Sequence, residues 1–124
     1  MHVGEAVAAL ATATGKVLLA GIEQARVDDV LARLVADTGV DPAELRRDLI
    51  RVRSAGVAVV GEEFRAGLAG VAVPIRGPRG EVAGAIGLSV PQVVLLARRP
   101  ELERVLREAA AGTVTGARAV GRGS

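Results

Sequence analysis

The sequence predicts one α+β domain, an antiparallel sheet flanked by helices. Three observations carry that reading. A chain of 124 residues is long enough for one core and too short for two. Half of it is apolar against 24% charged, far too apolar to stay unfolded by composition. Finally, apolar residues recur at helical spacing up to about Ser54, alternate between Val57 and Ser89, and return to helical spacing near the end. The core is aliphatic, since Phe64 is the only aromatic residue.

The first element lies within Ala11 to Ile22. Thr12 or Thr14 can cap a short buried helix through Val17, Leu18, Leu19 and Ala20, and Gly21 ends it. From Glu23, Val27, Val30, Leu31, Leu34 and Val35 recur every three or four residues, which predicts a second helix terminated by Asp37-Thr38-Gly39. A third starts with Asp41 as N-cap, Pro42 at the first helical position and Glu44 at the third. It buries Leu45, Leu49 and Val52 and stops at Ser54-Ala55-Gly56. Its Arg46, Arg47, Arg51 and Arg53 fall mainly elsewhere on the wheel. A solvated face is favoured over an anion site, because charge runs usually only solubilise.

Three strands follow, Val57 to Val60, Leu68 to Arg76 and Glu81 to Ser89, the last two joined as a hairpin by Gly77-Pro78-Arg79-Gly80. Pairing Arg76 with Glu81 sets Ile75 opposite Val82, Ala72 opposite Ala85, Val71 opposite Ile86 and Gly70 opposite Gly87. One face then carries Val71, Val73, Ile75, Val82, Ile86 and Leu88, the other Gly70, Ala72, Ala83, Ala85 and Gly87. A face so bare is filled by a helix lying unusually close or is the floor of a small-molecule cavity, and residue types alone favour the helix. Pro74 lacks a ladder N–H, so its strand must be an edge there or direct that position away from a neighbour. Pro91 closes the last strand. A final helix is predicted from about Pro100, with Leu102, Val105, Leu106, Ala109 and Ala110 as its stripe, and 118–124 as a disordered tail.

The chemistry available is narrow. With no cysteine there is no thiolate nucleophile and no cysteine-ligated metal. The lone histidine, His2, is expected on the surface, and nothing in the spacing sets it against Ser54 or Ser89 as a triad. Adjacent Glu62 and Glu63 point to opposite faces of an extended strand and form no carboxylate pair. Thr14-Gly15-Lys16 is not a phosphate loop, because Leu10 and Val17 stand where Gly and a metal-binding hydroxyl are needed. The chain is therefore read as no enzyme, with no cofactor and no metal. Fifteen of the 16 basic residues are Arg, but net charge is only +2 and acids are interspersed throughout, so the pI of about 10.3 does not predict a nucleic-acid binder. The longest uncharged stretch, Val82 to Ala97, is too short to span a bilayer and holds Pro91. No secretory signal is seen in Met1-His2-Val3-Gly4-Glu5, so a cytoplasmic location is expected. Small residues from Ala11 to Gly15 at a helix start expose backbone N–H groups suited to a small anion or carboxylate.

Taken in order, Ala11-Thr12-Ala13-Thr14-Gly15-Lys16-Val17-Leu18-Leu19-Ala20, Gly56-Val57-Ala58-Val59, Glu62-Glu63-Phe64, Gly67-Leu68, Val71-Ala72-Val73-Pro74-Ile75, Gly80-Glu81-Val82, Ala85-Ile86 and Ser89-Val90-Pro91 resemble one family. It is the C-terminal effector-binding domain of bacterial transcriptional regulators of the isocitrate-lyase-regulator (IclR) type, and the likeness covers about Gly4 to Ala119. The resemblance implies a GAF- or profilin-like fold enclosing a pocket for a small metabolite, often a carboxylate. It also implies that the winged helix-turn-helix and the strands preceding the Gly4 region lie outside this chain, leaving an incomplete sheet. Its pocket positions fall on Ala13 and Thr14 at the helix start, Val60 at a strand end, Leu68 on an apolar wall, and Gly70, Gly87 and Ser89 on the sheet. Val60 stands where the family often has Asp, and Gly70 and Gly87 offer no side-chain hydrogen bonds. Any effector would then be less polar or larger than usual, or none binds. The implied partners are a small organic effector and either a second copy or related regulator subunits, with no direct DNA contact and no membrane. The alternative reading is an interaction or dimerisation module, or a regulator fragment that binds no ligand.

Overall fold

The computed structural model describes residues 12–22, 26, 29, 32–33, 40–61 and 66–123, the last ten by backbone alone. Helix α1 (Ala13–Ala20) is capped by Thr12, whose side chain accepts from the Gly15 amide at 3.0 Å, and it closes at Gly21. Helix α2 (Pro42–Ala55) begins at Asp41, whose carboxylate accepts from the Ala43 amide at 3.0 Å. It ends at Gly56, whose left-handed φ of 68° suits glycine. Both helices sit where their caps predict, and α2 buries Leu45, Leu49 and Val52 as expected. The predicted helix from Glu23 to Val35 has its apolar positions outside the described residues, while Arg26, Asp29, Ala32 and Arg33 are helical and exposed. Glu62, Glu63 and Phe64 also lie outside them.

Strands β1 (Ala58–Val60), β2 (Leu68–Arg76) and β3 (Val82–Pro91) form an antiparallel sheet in the order β1-β2-β3. Pro74 is accommodated as its missing N–H requires. β1 pairs with β2 only as far as Ala58 opposite Ala72, so β2 is an edge on that side at Pro74, which faces Ala85 of β3 on the other.

The hairpin register differs from the expected one. Arg76 pairs with Val82, not Glu81, and Ile75 pairs with Gly84. Ala83 is an extra residue on β3, a bulge next to the turn. Beyond it Val73 faces Ile86, Ala72 faces Gly87, Val71 faces Leu88 and Gly70 faces Ser89, so Gly70 and Gly87 are not partners. The cause is local. The Gly77 amide donates to the Glu81 carbonyl at 2.8 Å and the Arg76 guanidinium to the Gly80 carbonyl at 2.9 Å, so residues 77–81 are taken up in the turn. The bulge also turns Val82 onto the small-residue face, against Gly21, rather than the bulky face.

Helix α3 (Gln92–Gly123) starts eight residues before the expected Pro100. Its first segment is anchored by the Gln92 amide, which donates to the Gly67 carbonyl at 2.8 Å, and by buried Leu95. A break at Arg98 (φ −131°, ψ 24°) separates it from the segment that Pro100 opens, so the proline marks a kink and not the start. Leu102, Leu106 and Ala110 face inward as predicted, whereas Val105 is exposed. The α3 backbone stays helical to Gly123, through a stretch whose composition predicts a disordered tail.

The layers follow from the two sheet faces. Val57, Ala69, Val71 and Val73 pack with Leu95, Leu106 and Ala110 of α3. On the other side Ala58 and Ala72 meet Ala13, Val17 and Ala20 of α1, and α2 covers α1 with Leu45, Leu49 and Val52. Helix α1 is thus held between the sheet and α2, and its approach is close. A Cβ on Gly21 would lie 2.6 Å from Val82 Cβ, and one on Gly87 2.9 Å from Thr14 Cγ2.

Arginines tie the helix ends. Arg53 is not a simple solvated residue, for its Nε and Nη2 donate to the Ala20 and Ile22 carbonyls at 2.8 and 2.9 Å. Arg107 reaches the Gly56 carbonyl at 3.3 Å. Each places a cation at the negative, C-terminal end of a helix. Lys16 and Asp48 form an ion pair between α1 and α2.

Two glycine substitutions are expected to act with opposite signs. Gly21→Val drives a side chain into Val82 and loses about 1–3 kcal/mol. Gly112→Ala, with open space around it inside α3, gains up to about 1 kcal/mol. Urea denaturation followed by circular dichroism reads both.

Candidate functional site

Two cross-strand rows organise the sheet face beneath α1. The inner row is Ala58, Ala72 and Gly87, and the next is Val60, Gly70 and Ser89. Strand alternation puts Leu68, opposite Pro91, on the same face one row further out. Thr14, in the first turn of α1, lies against Gly87, and buried Ala13 joins the core on the same face. The predicted positions Ala13, Thr14, Val60, Leu68, Gly70, Gly87 and Ser89 therefore belong to one face of the sheet and the helix start beside it.

They do not play equal parts. At the inner row the bare face is filled by the helix: a Cβ on Gly87 would meet Thr14 Cγ2 and the Val71 carbonyl, each at 2.9 Å, and Ala72 Cβ at 3.1 Å. Gly87 works there as a seat for α1. The outer row is different in kind, with a buried glycine between half-buried Val60 and exposed Ser89. Half-buried Leu68 gives it an apolar flank. Its polar groups are few: the Ser89 hydroxyl, that of half-buried Thr14, and the first-turn amides of α1. Of these amides, that of Gly15 is already taken by Thr12, and Ala13 is engaged in an interaction of its own. Such an arrangement can hold a largely apolar molecule with one small anionic group.

A separate cavity of about 180 Å³ lies at the other end of α1, between Ala20, Gly21, Val52, Pro74 and Val82, with Arg53, Arg76 and Glu81 among its lining residues. It contains none of the seven predicted positions, and it is smaller than the roughly 300 Å³ at which ligand pockets begin. Sequence reasoning missed it because the bulge that turns Val82 inward leaves no mark in residue types. Among the described residues there is no cluster of His, Cys, Asp or Glu that could hold a metal ion.

The family described as bacterial transcriptional regulator IclR C-terminal matches residues 1–113. The chain belongs to this IclR C-terminal family. It is 38% identical over 108 residues to the HTH-type transcriptional regulator Rv1719 of Mycobacterium tuberculosis, covering 84% of this chain and 41% of that protein. Among solved structures, the Rhodococcus sp. RHA1 transcriptional regulator RHA06195 superposes with a TM-score of 0.74 at 33% identity, over 86% of this chain and 46% of that one. The inducer-binding domain of PobR from Acinetobacter, solved as a double mutant in complex with 3-hydroxybenzoic acid, shares the fold. Its TM-score is 0.67 at 22% identity, over 86% of this chain and 65% of that one. This IclR C-terminal chain thus spans less than half the length of the first two proteins. The relatives are transcriptional regulators and not enzymes.

The close seat of α1 makes a further expectation. Gly87→Ala loses about 1–3 kcal/mol, and adding Thr14→Ser, which removes the methyl group in its way, returns part of that loss. A double-mutant cycle in urea measures the coupling.

Proposed function

We propose that this IclR C-terminal chain is a small-molecule effector-binding domain, one domain over 1–124 with 118–124 as its tail. It senses a small carboxylate metabolite and acts in transcription regulation through association with DNA-binding subunits in the cytoplasm. The observation that carries the reading is the Val60–Gly70–Ser89 row, a small-residue floor beside the start of α1 with an apolar flank at Leu68. In this reading the amide and hydroxyl of Thr14, with the Ser89 hydroxyl, take the carboxylate. Gly70 leaves room for the body of the ligand, and Val60 and Leu68 wall it. The absence of a carboxylate at Val60 favours a ligand with few hydroxyl groups, an aromatic or branched aliphatic monocarboxylate. The 3-hydroxybenzoic acid held by the PobR domain is of this class. Among the described residues no helix is long and apolar enough to cross a membrane.

Thermal unfolding of the chain with a panel of aliphatic and aromatic monocarboxylates tests the proposal. At ~100 times its dissociation constant a true effector adds about 2.7 kcal/mol, several degrees in midpoint for a chain of this size. Gly70→Leu, which fills the floor, is expected to abolish that gain. A cooperative transition that no carboxylate moves contradicts the reading.

A further inference from the structure

Two cavities meet around the end of β2 that β1 does not pair. On the α1 side is the cavity of about 180 Å³, walled by Val17, Val52 and Val82. On the α3 side a second, of about 320 Å³, is walled by Val73, Ala110 and Ala111. Gly56, Pro74 and Arg76 line both, so the two form one cleft wrapped around the strand end. The first cavity alone is smaller than a ligand pocket, but the cleft as a whole falls in that range.

Arginines reach the cleft from three elements, Arg53 from α2, Arg76 from β2 and Arg107 from α3. Each is held by backbone carbonyls. Arg53 donates to those of Ala20 and Ile22, Arg107 to those of Gly56 and Ala55 at 3.3 and 3.5 Å, and Arg76 to that of Gly80 at 2.9 Å. A carbonyl fixes a guanidinium in place without neutralising it. Arg53 and Arg107 also serve helix ends, and Arg107 meets Glu103 at 3.5 Å. Arg76 has no such duty. It ends a strand, and among the described residues it pairs with no carboxylate, its bond to Gly80 leaving most of its donors unused. The neighbouring acid is turned to another task, for the Glu81 carboxylate lies against Gly77 and accepts from the Arg79 amide at 3.3 Å.

We infer that this cleft is a second binding site, which takes a phosphate group, free or as the head of a small phosphate monoester, with Arg76 as its principal ligand. A phosphate carries a charge of about two and presents oxygens in several directions, so guanidiniums from separate elements hold it together. A planar monocarboxylate, with a single charge, engages one fork and gains little from the others. Because the guanidiniums are already fixed by carbonyls, little side-chain freedom is lost on binding. The site lies at the opposite end of α1 from the Gly70 row, and the inference does not rest on the effector reading.

Amide NMR titration with inorganic phosphate, in chloride of matched ionic strength, is expected to give saturable shifts at Gly56, Arg76 and Gly80 with a dissociation constant of about 1 mM or below. Acetate gives none. Arg76→Gln, an exposed change whose fold circular dichroism verifies, weakens binding by at least about tenfold. Glycerol phosphate distinguishes the sources: tighter binding than phosphate assigns the site to a monoester whose body enters the cleft, and equal or weaker binding assigns it to free phosphate, each in support. The absence of saturable shifts up to about 20 mM phosphate overturns the inference. So do shifts that acetate reproduces, or binding that the folded Arg76→Gln variant leaves as tight.

Discussion

The close contact between α1 and the sheet is the constraint on which the rest depends. An eight-residue helix has too little backbone hydrogen bonding to stand alone. Here it is held from both sides, by Ala58, Ala72 and Gly87 beneath and by Leu45, Leu49 and Val52 of α2 above. The short approach requires small residues, so one sheet face is written in Ala and Gly and the other, under α3, in Val and Ile. It also fixes where the helix start lies, and therefore where its amides stand relative to the Gly70 row. Function in this reading follows from a packing requirement: the inner row is filled by the helix, and the outer row is the one assigned to the ligand.

Polar interactions secure that arrangement at its ends. Arg53 and Arg107 bring guanidinium groups to the carbonyl ends of α1 and α2, and Lys16 meets Asp48 across the two helices. Along α3, Arg98 with Glu101 and Arg99 with Glu103 bridge successive turns. Such pairs on an exposed helix contribute a few tenths of a kcal/mol each. These four arginines thus serve helix ends and helix faces.

The parts of the fold written in local chemistry were legible. Thr12 and Asp41 cap the helices they precede, Gly56 adopts the left-handed cap, and Pro74 sits where β2 lacks a neighbour. What was not legible depends on contacts between distant residues. Whether Arg76 pairs with Glu81 or Val82 is decided by how the turn takes up its carbonyls. That choice shifted the register and sent Val82 to the other face. The first segment of α3 has no strong capping signal and is held instead by Gly67 and by burial of Leu95. For the site, alternation alone singled out Gly70 and Gly87 as bare. Assigning one to the seat of α1 and the other to the next row out required the true register.

The most direct test is a backbone amide NMR titration of the chain with 3-hydroxybenzoate and a branched aliphatic carboxylate. The account predicts saturable shifts concentrated at Thr14, Gly70, Gly87 and Ser89, with those around Arg53 and Arg76 unmoved. Shifts gathered instead around the cavity between Ala20, Gly21 and Val82, with the Gly70 row silent, would contradict it.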